Sequence, residues 1–339
     1  MSSDTPKRPR ARTTAAWFML LIGAIFMAVW LARLAISDRF ISTQFFAWPP
    51  AWTLLAPSAI ASLLGAAIAP IGRTRVGAVI FALVPALTLL LGPWRLGNLA
   101  TRHEPERSLV LVFWNAAPST HAEGEQNMKQ IATFDGPERA DIIVVSNPGA
   151  LRWSERFERA TGRSPTHAGT TDFISPLPVI RSGPVPVPTY RERRSIRMGF
   201  AVLDTSEALP GTDTLTIWSI DLPSDRSLPR REVAGVLRDA IAEVRSRGHE
   251  QLTPPVPDLI VGDFNMPRGS ASIALFTEGL TDAHTAAGLG PSGTWPVNRP
   301  FLHIDQAFVG NGWRATKHDV LPVDIGTHRA LRIVLAPND

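Results

Sequence analysis

The chain has 339 residues, no cysteine and a formal net charge of +4. That length allows more than one domain, and the missing cysteines exclude disulfides, thiolate metal sites and cysteine nucleophiles together. The basic balance does not mark a nucleic-acid-binding domain, because residues 1–100 hold 9 Lys and Arg against 2 Asp and Glu while the remainder holds 25 against 28. Bulk charge therefore gives the C-terminal two-thirds no attraction to a polyanion.

In chain order, residues 1–12 are a basic N-terminus with Lys7, Arg8, Arg10 and Arg12. From Thr13 to Ala32 no charge occurs over 20 residues, which matches a hydrocarbon core of about 30 Å at about 1.5 Å per helical residue. A second uncharged run extends from Phe40 to Gly72. Its front half, with Trp48, Pro49, Pro50 and Trp52, reads as an interfacial loop, and Trp52–Ile71 as a span. Val76–Trp94 forms a third apolar run. These runs predict a membrane anchor over residues 13–95 with about three transmembrane helices. A cleaved signal peptide fits less well, since the first stretch is too long and lacks a small-residue cleavage site. Arg73 and Arg75 lie between the second and third spans, so the positive-inside rule puts them and the N-terminus in the cytoplasm. The expectation is a multi-pass protein of the inner (plasma) membrane, with the bilayer as a partner. Its C-terminal domain then faces the extracytoplasmic side.

After a linker over residues 96–107, residues 108–339 read as one α/β domain. Leu109–Trp114 and Asp141–Ser146 are continuous apolar runs of strand type, separated by a helix over Gln126–Phe134. Thr171–Ser175 and Phe200–Asp204 are strands flanking the proline-rich stretch Pro176–Pro188, which excludes a central strand there. Leu215–Ile220 is a further strand. Arg230–Arg247 is an amphipathic helix stopped by Gly248. Leu259–Val261, a helix over Ser270–Leu280, Leu302–Val309, Arg314–Val320 and Ala330–Leu335 complete the order. A two-sheet β-sandwich flanked by helices accommodates it.

The sharpest motif is Gly262-Asp263-Phe264-Asn265, directly after the apolar Leu259-Ile260-Val261. A strand ending in Asp and Asn sets a carboxylate and an amide at a sheet rim, where sites form; a turn capping a helix is the plain alternative. Asn115 ends the first strand, His303-Ile304-Asp305 lies in a later one after Thr294-Trp295-Pro296, and Gly326-Thr327-His328-Arg329 precedes the last. Arg191, Arg193, Arg194 and Arg197 read as a solvated hairpin rather than a phosphate-facing patch, His121 and His284 as surface residues, and Trp295 as a core or rim aromatic.

This ordered set resembles the endonuclease/exonuclease/phosphatase superfamily over about Leu109–Leu335, and a membrane-anchored bacterial branch of it shares the layout. The resemblance implies a four-layer, deoxyribonuclease I-like fold and metal-assisted attack of water on a phosphate ester. It implies that Asp263 orients and deprotonates the water, that Asn115 and Asn265 hold phosphate oxygens, and that Asp305 fixes the imidazole of His328. Amide donors, an imidazolium and a cation would stabilise the charge of a pentavalent transition state.

Three positions depart from the family pattern. Asn147 stands where the main metal-binding Glu is expected, Thr327 where an Asp precedes the catalytic His, and Asp221 where a His follows its strand. A Mg²⁺ or Mn²⁺ ion would rest on Asp263, with Asp221 and Asn147 as further candidate ligands, and neutral oxygens hold such a cation less tightly. Two readings stay open. One is a metal-dependent phosphoesterase or phosphodiesterase acting outside the cytoplasm on a lipid head group, or on nucleic acid, which the domain charge disfavours. The other is a catalytically impaired relative serving as a binding or scaffolding module.

Overall fold

The computed structural model describes residues 8–69, 72–116, 121–135, 140–148, 158, 162–190, 195–248 and 253–338. The N-terminal part consists of α1 (Arg8–Ile36), the short α2 (Gln44–Ala47), α3 (Trp52–Ile68) and α4 (Arg73–Leu91). α1 and α3 approach closely through small residues: Ser58 Oγ donates to the Gly23 carbonyl at 2.8 Å, and a Cβ on Gly23 would lie 2.3 Å from Ser62 Oγ. Small residues at such crossings are how apolar helices associate where burial alone gives no drive. Large apolar side chains such as Phe18, Leu63 and Ile80 remain more than half exposed along all three helices.

Among the described residues, one helix, over Ala11–Ile36, is long and apolar enough to cross a membrane. This corrects the expectation of about three transmembrane helices. The apolar segments Trp52–Ile68 and Arg75–Leu91 are shorter, and the 17 residues of α3 reach only about 25 Å at about 1.5 Å each. The uncharged run ahead of α3 is spent on α2 and the Pro49-Pro50 turn rather than on more helix.

The C-terminal part contains two six-stranded mixed sheets. Sheet one runs β11 (Trp313–Leu321), β12 (Ala330–Pro337), β1 (Leu109–Asn115), β2 (Ile142–Ser146), β4 (Thr171–Ile174), β3 (Thr166–Ala168). Sheet two runs β5 (Val179–Pro184), β6 (Arg197–Asp204), β7 (Thr214–Asp221), β8 (Leu259–Asp263), β10 (Asp305–Val309), β9 (Thr281–Asp282). The proline-bearing β5 sits at an edge, where a missing N–H costs no ladder bond.

Alternation explains the layers, since successive strand residues face opposite sides. Leu111, Phe113, Ile217, Val261, Ala307 and Ile333 pack between the sheets. The opposite parity on sheet one, Val112, Trp114 and Val145, packs with Ile131 and Phe134 of α5 (His121–Asp135). On sheet two, Phe200, Trp218 and Ile260 pack with Val233, Leu237 and Ile241 of α6 (Arg230–Arg247). The result is helix, sheet, sheet, helix, with α6 ended by Gly248 at φ 66°. A short helix α7 (Ala283–Ala287) follows β9.

Two expectations change. Ser270–Leu280 is not a helix; it holds only a 3-10 turn at Ile273–Leu275. Its first N–H groups are captured from outside, Ala271 N–H by Ser37 Oγ at 3.1 Å and Ser272 N–H by Asp38 Oδ1 at 3.2 Å. His303 and Ile304 precede β10 rather than lying within it.

The glycine before Asp263 has a packing reason. A Cβ on Gly262 would sit 2.0 Å from the Ile220 carbonyl oxygen of the neighbouring strand. Gly262→Ala is therefore expected to destabilise the domain by about 1–3 kcal/mol through overpacking, read as a lower urea midpoint with an unchanged slope.

Candidate active site

The site follows from strand parity and register. On sheet two, Arg197 pairs with Asp221, Asp221 with Asp263, and Asp263 with Asp305. All four continue the inward-facing parity of their strands and stop at one end of the sandwich. They form a single row across β6, β7, β8 and β10: one guanidinium and three carboxylates, about 4.8 Å apart from strand to strand. Like charges in neighbouring cross-strand positions repel, so the row needs positive charge. Arg197 supplies it at one end, and His328, just before β12, supplies it at the other.

His328 Nδ1 lies 2.9 Å from Asp305 Oδ2 and Nε2 lies 3.7 Å from Asp263 Oδ2. Burial alone would lower its pKa, but the bonded Asp305, then Asp263 and Asp221, raise it to about 9. At neutral pH the ring is an imidazolium. Its backbone is fixed by Trp114, whose Nε1–H donates to the His328 carbonyl at 3.1 Å. Asp263, 2 % exposed, is pushed well above the usual carboxylate range by burial and by Asp305 and Asp221, against the pull of His328. Asn115 Nδ2–H donates to Asp263 Oδ2 at 3.0 Å, and the Asn265 N–H donates to Oδ1 at 2.9 Å.

Asp221 is raised by burial, opposed by hydrogen bonds from Asn147 and by Arg197. Asn147 Nδ2–H donates to Asn115 Oδ1 and to Asp221 Oδ2, both at 3.1 Å. Arg197 Nη1–H donates to Asn147 Oδ1 at 2.7 Å and to Asp221 Oδ2 at 3.2 Å. Asn147 and Asn265 both have positive φ, 52° and 46°, a left-handed conformation that asparagine enters more readily than most residues.

Asn115, Asn147, Arg197, Asp221, Asp263, Asn265, Thr327 and His328 line one cavity of about 550 Å³, with Trp48, Arg226 and Trp295 at its sides. All the candidate site residues read from the sequence thus converge, with Asp305 behind His328. Asn265 is turned partly away, one of its amide hydrogens bonding the Leu222 carbonyl at 2.8 Å. Arg197, read as part of a solvated hairpin, is a pocket residue; Arg191, Arg193 and Arg194 lie outside the described residues. Trp295 is among the residues lining the cavity. Trp48 and Arg226 carry no sequence signal for this place.

Metal binding can be tested against the donor set. Asp263, Asp305 and His328 offer three ligand atoms within 4.8 Å of one another. Asp305 is fully buried and does not line the cavity, and the His328 Nδ1 is taken up by Asp305 at 2.9 Å. Mg²⁺ keeps several waters and binds through carboxylates facing solvent. Asn147 already shares its oxygen with a guanidinium and points its N–H groups at Asn115 and Asp221. The residues present do not fit a hard divalent ion at the family's position; Arg197 stands beside the carboxylate there.

The imidazolium carries a pH prediction. A group whose folded pKa is raised contributes stability that is fully present below its unfolded value, near 6.5, and is lost as pH rises through the folded value. His328 should titrate near pH 9 in an imidazole NMR titration. Asp305→Asn should bring that midpoint down and flatten the loss of stability between about pH 6.5 and 9. A midpoint near 6.5 in the unsubstituted protein would contradict the assigned geometry.

His284, read as a surface residue, is 1 % exposed. Its ring packs against His318 at 5.3 Å and His303 at 5.6 Å between centroids. Burial and Arg268 hold all three rings below histidine's ordinary range, so this cluster is a neutral part of the packing.

Residues 165–326 match the model of the Endonuclease/Exonuclease/phosphatase family. Asn115, Asn147 and His328 lie outside the matched segment and join the site through sheet one. Among solved structures, the chain is similar to an endonuclease/exonuclease/phosphatase family protein from Bacteroides thetaiotaomicron, at 14% identity and TM-score 0.55, covering 68% of this chain and 98% of that one. It is also similar to the mannosyl-6-phosphatase Bt3783 of the same organism, at 15% identity and TM-score 0.55, covering 68% and 100%. A humanized TDP2 from D. rerio aligns at 12% identity and TM-score 0.51, covering 68% and 99%. These likenesses establish a shared fold. No curated protein matches the chain.

Proposed function

We propose that the endonuclease/exonuclease/phosphatase family domain of this chain is a membrane-tethered phosphoesterase whose pocket supplies its own fixed cations, Arg197 and His328. The observation that carries this reading is the row Arg197–Asp221–Asp263–Asp305 closed by His328, in which guanidinium and imidazolium bracket three carboxylates, Asp221 and Asp263 among them lining a 550 Å³ cavity. A phosphate ester enters with its oxygens toward Arg197, the free amide hydrogens of Asn115 and Asn265, and the Nε2–H of His328. Asp263 takes a proton from water as that oxygen bonds phosphorus. The bond to the ester oxygen breaks, and the departing alkoxide is protonated by solvent at the open mouth. A carboxyl with a raised pKa is a stronger proton acceptor when ionised. Donors placed where charge develops stabilise the transition state most.

Tethering rests on α1 and on the exposed apolar faces of α3 and α4. The basic residues Lys7, Arg8, Arg10 and Arg12 ahead of the apolar stretch of α1 favour an N-terminus in the cytoplasm. The segment after α1 meets the domain through Ser37 and Gly269, and the one after α4 meets it through the Gly290 N–H and Trp94 carbonyl at 2.8 Å. Together these features support a domain outside the cytoplasm.

A second reading, binding without turnover, is favoured by the neutral Asn147 and Thr327. The two separate in one assay: hydrolysis of bis(p-nitrophenyl) phosphate by the full chain, with chelator or with Mg²⁺ or Mn²⁺. The phosphoesterase reading expects turnover in chelator that is lost in Asp263→Ala. Turnover absent under every condition, with strong gain in an Asn147→Glu/Thr327→Asp variant plus metal, would establish the second.

A further inference from the structure

The catalytic cavity is continuous with an apolar groove that leads to the tether. Trp48, Arg226, Trp295 and Leu302 line both the cavity and a groove of about 700 Å³, whose remaining walls include Phe45, Pro50, Trp52 and Phe301. Trp48, Trp52, Phe301 and Leu302 also border a further cavity of about 480 Å³, reaching Trp30 and Leu34 of α1 and Trp94 beyond α4. An apolar path therefore runs from the exposed helix faces to the pocket holding Asp263 and His328. The segment that builds it exposes Phe40, Ile41, Phe45 and Phe46, and it is pinned to the domain by Gln44, whose Nε2–H donates to the Arg226 carbonyl at 2.8 Å while its Oε1 accepts from the Arg230 N–H at 3.2 Å. The groove is lined by Arg226 and Arg299 and, among its described residues, by no carboxylate. Arg226 lies 5.9 Å from the Trp48 ring centroid, where the polar cavity passes into the apolar groove.

We infer that this groove takes the hydrocarbon chain of a bilayer lipid whose phosphate-ester head group enters the cavity, an inference that rests on the phosphate-ester reading above. A lipid has both parts the path requires: an anionic head for Arg197, Arg226 and His328, and an apolar chain that leaves toward the helix faces without crossing water. Aromatic walls with arginines can also stack nucleotide bases, but a base has no use for a path ending on the tether, and the domain's net negative charge gives a polyanion no gain.

The test compares ethyl phosphate with dodecyl phosphate, titrated by ³¹P NMR into the full-length protein in dodecyl maltoside micelles. A buried methylene contributes about fourfold in affinity, so dodecyl phosphate should bind at least about a hundredfold more tightly. Phe45→Ser with Phe301→Ser, both partly exposed groove residues outside the head-group cavity, should erase at least about tenfold of that advantage and leave ethyl phosphate binding unchanged. Partition into micelles is the same for both proteins. A chain-length advantage that survives the two substitutions overturns the inference, as does displacement of dodecyl phosphate by a single-stranded oligodeoxynucleotide. Ethyl phosphate bound but dodecyl phosphate no tighter sinks the lipid inference alone; failure of both to bind sinks the phosphate-ester reading with it.

Discussion

Replacing His328 with alanine is expected to lower the rate on bis(p-nitrophenyl) phosphate by about 10³-fold, the range for losing a positioned hydrogen-bond donor and its charge together. The argument is electrostatic. His328 is the imidazolium at one end of the carboxylate row, touching Asp305 at 2.9 Å and Asp263 at 3.7 Å, and Asp305 Oδ1 has no hydrogen-bond partner of its own. Without the ring, three carboxylates are left with Arg197 alone, and an incoming phosphate meets net repulsion. Removing one partner of a buried ion pair also destabilises, by about 3–5 kcal/mol, so the alanine variant needs a companion. His328→Gln keeps an amide donor near Asp305 without the charge. It should fold by circular dichroism and still show most of the rate loss. A rate within threefold of the parent in the glutamine variant would remove His328 from the chemistry.

Trp114→Ala should cost about 3–5 kcal/mol of unfolding free energy, the range for deleting a buried aromatic. Trp114 is fully buried between sheet one and α5 and meets Phe134 edge-on at 6.0 Å between ring centroids. The substitution empties that layer and also releases the Nε1–H bond to the His328 carbonyl. Trp114→Phe separates the two effects: it restores most of the packing and leaves the carbonyl without its donor, so stability should recover more than the rate. Equal recovery of both would mean that the indole bond does not position His328.

Strands and the main helix were legible because each has one strong local cause. Leu109–Trp114 and Leu215–Ile220 are apolar on both parities, as strands covered by a sheet on one side and a helix on the other must be. Arg230–Arg247 shows its buried stripe and its glycine stop. Ser270–Leu280 misled because Ile273, Phe276 and Leu280 mimic helical spacing, while the segment makes only one 3-10 turn, at Ile273–Leu275. Uncharged length likewise overstated the membrane helices, since apolar residues before Trp52 also build a groove wall.

Of the site, the amides and the His–Asp pair were legible through motifs at strand ends. Arg197 was not, because its place depends on the β6–β7 register that sets it opposite Asp221, and register is a pairing property absent from local sequence. Hydrogen bonds from Asn147 to Asp221 and from Arg197 to Asn147 are why Asn147 and Asp221 are better read together than as separate metal ligands. They form one hydrogen-bonded set with a guanidinium, at the position where the family resemblance led us to expect a carboxylate and an ion.

The most direct test of the fixed-cation pocket is phosphate binding with all divalent ions chelated. Phenyl phosphate titrated calorimetrically into the full-length protein in micelles, with excess chelator, should bind. Arg197→Ala should weaken that binding by about tenfold or more, as expected for loss of one charge-assisted hydrogen bond. Binding that appears only when Mg²⁺ or Mn²⁺ is restored, and that is indifferent to Arg197, would contradict the account.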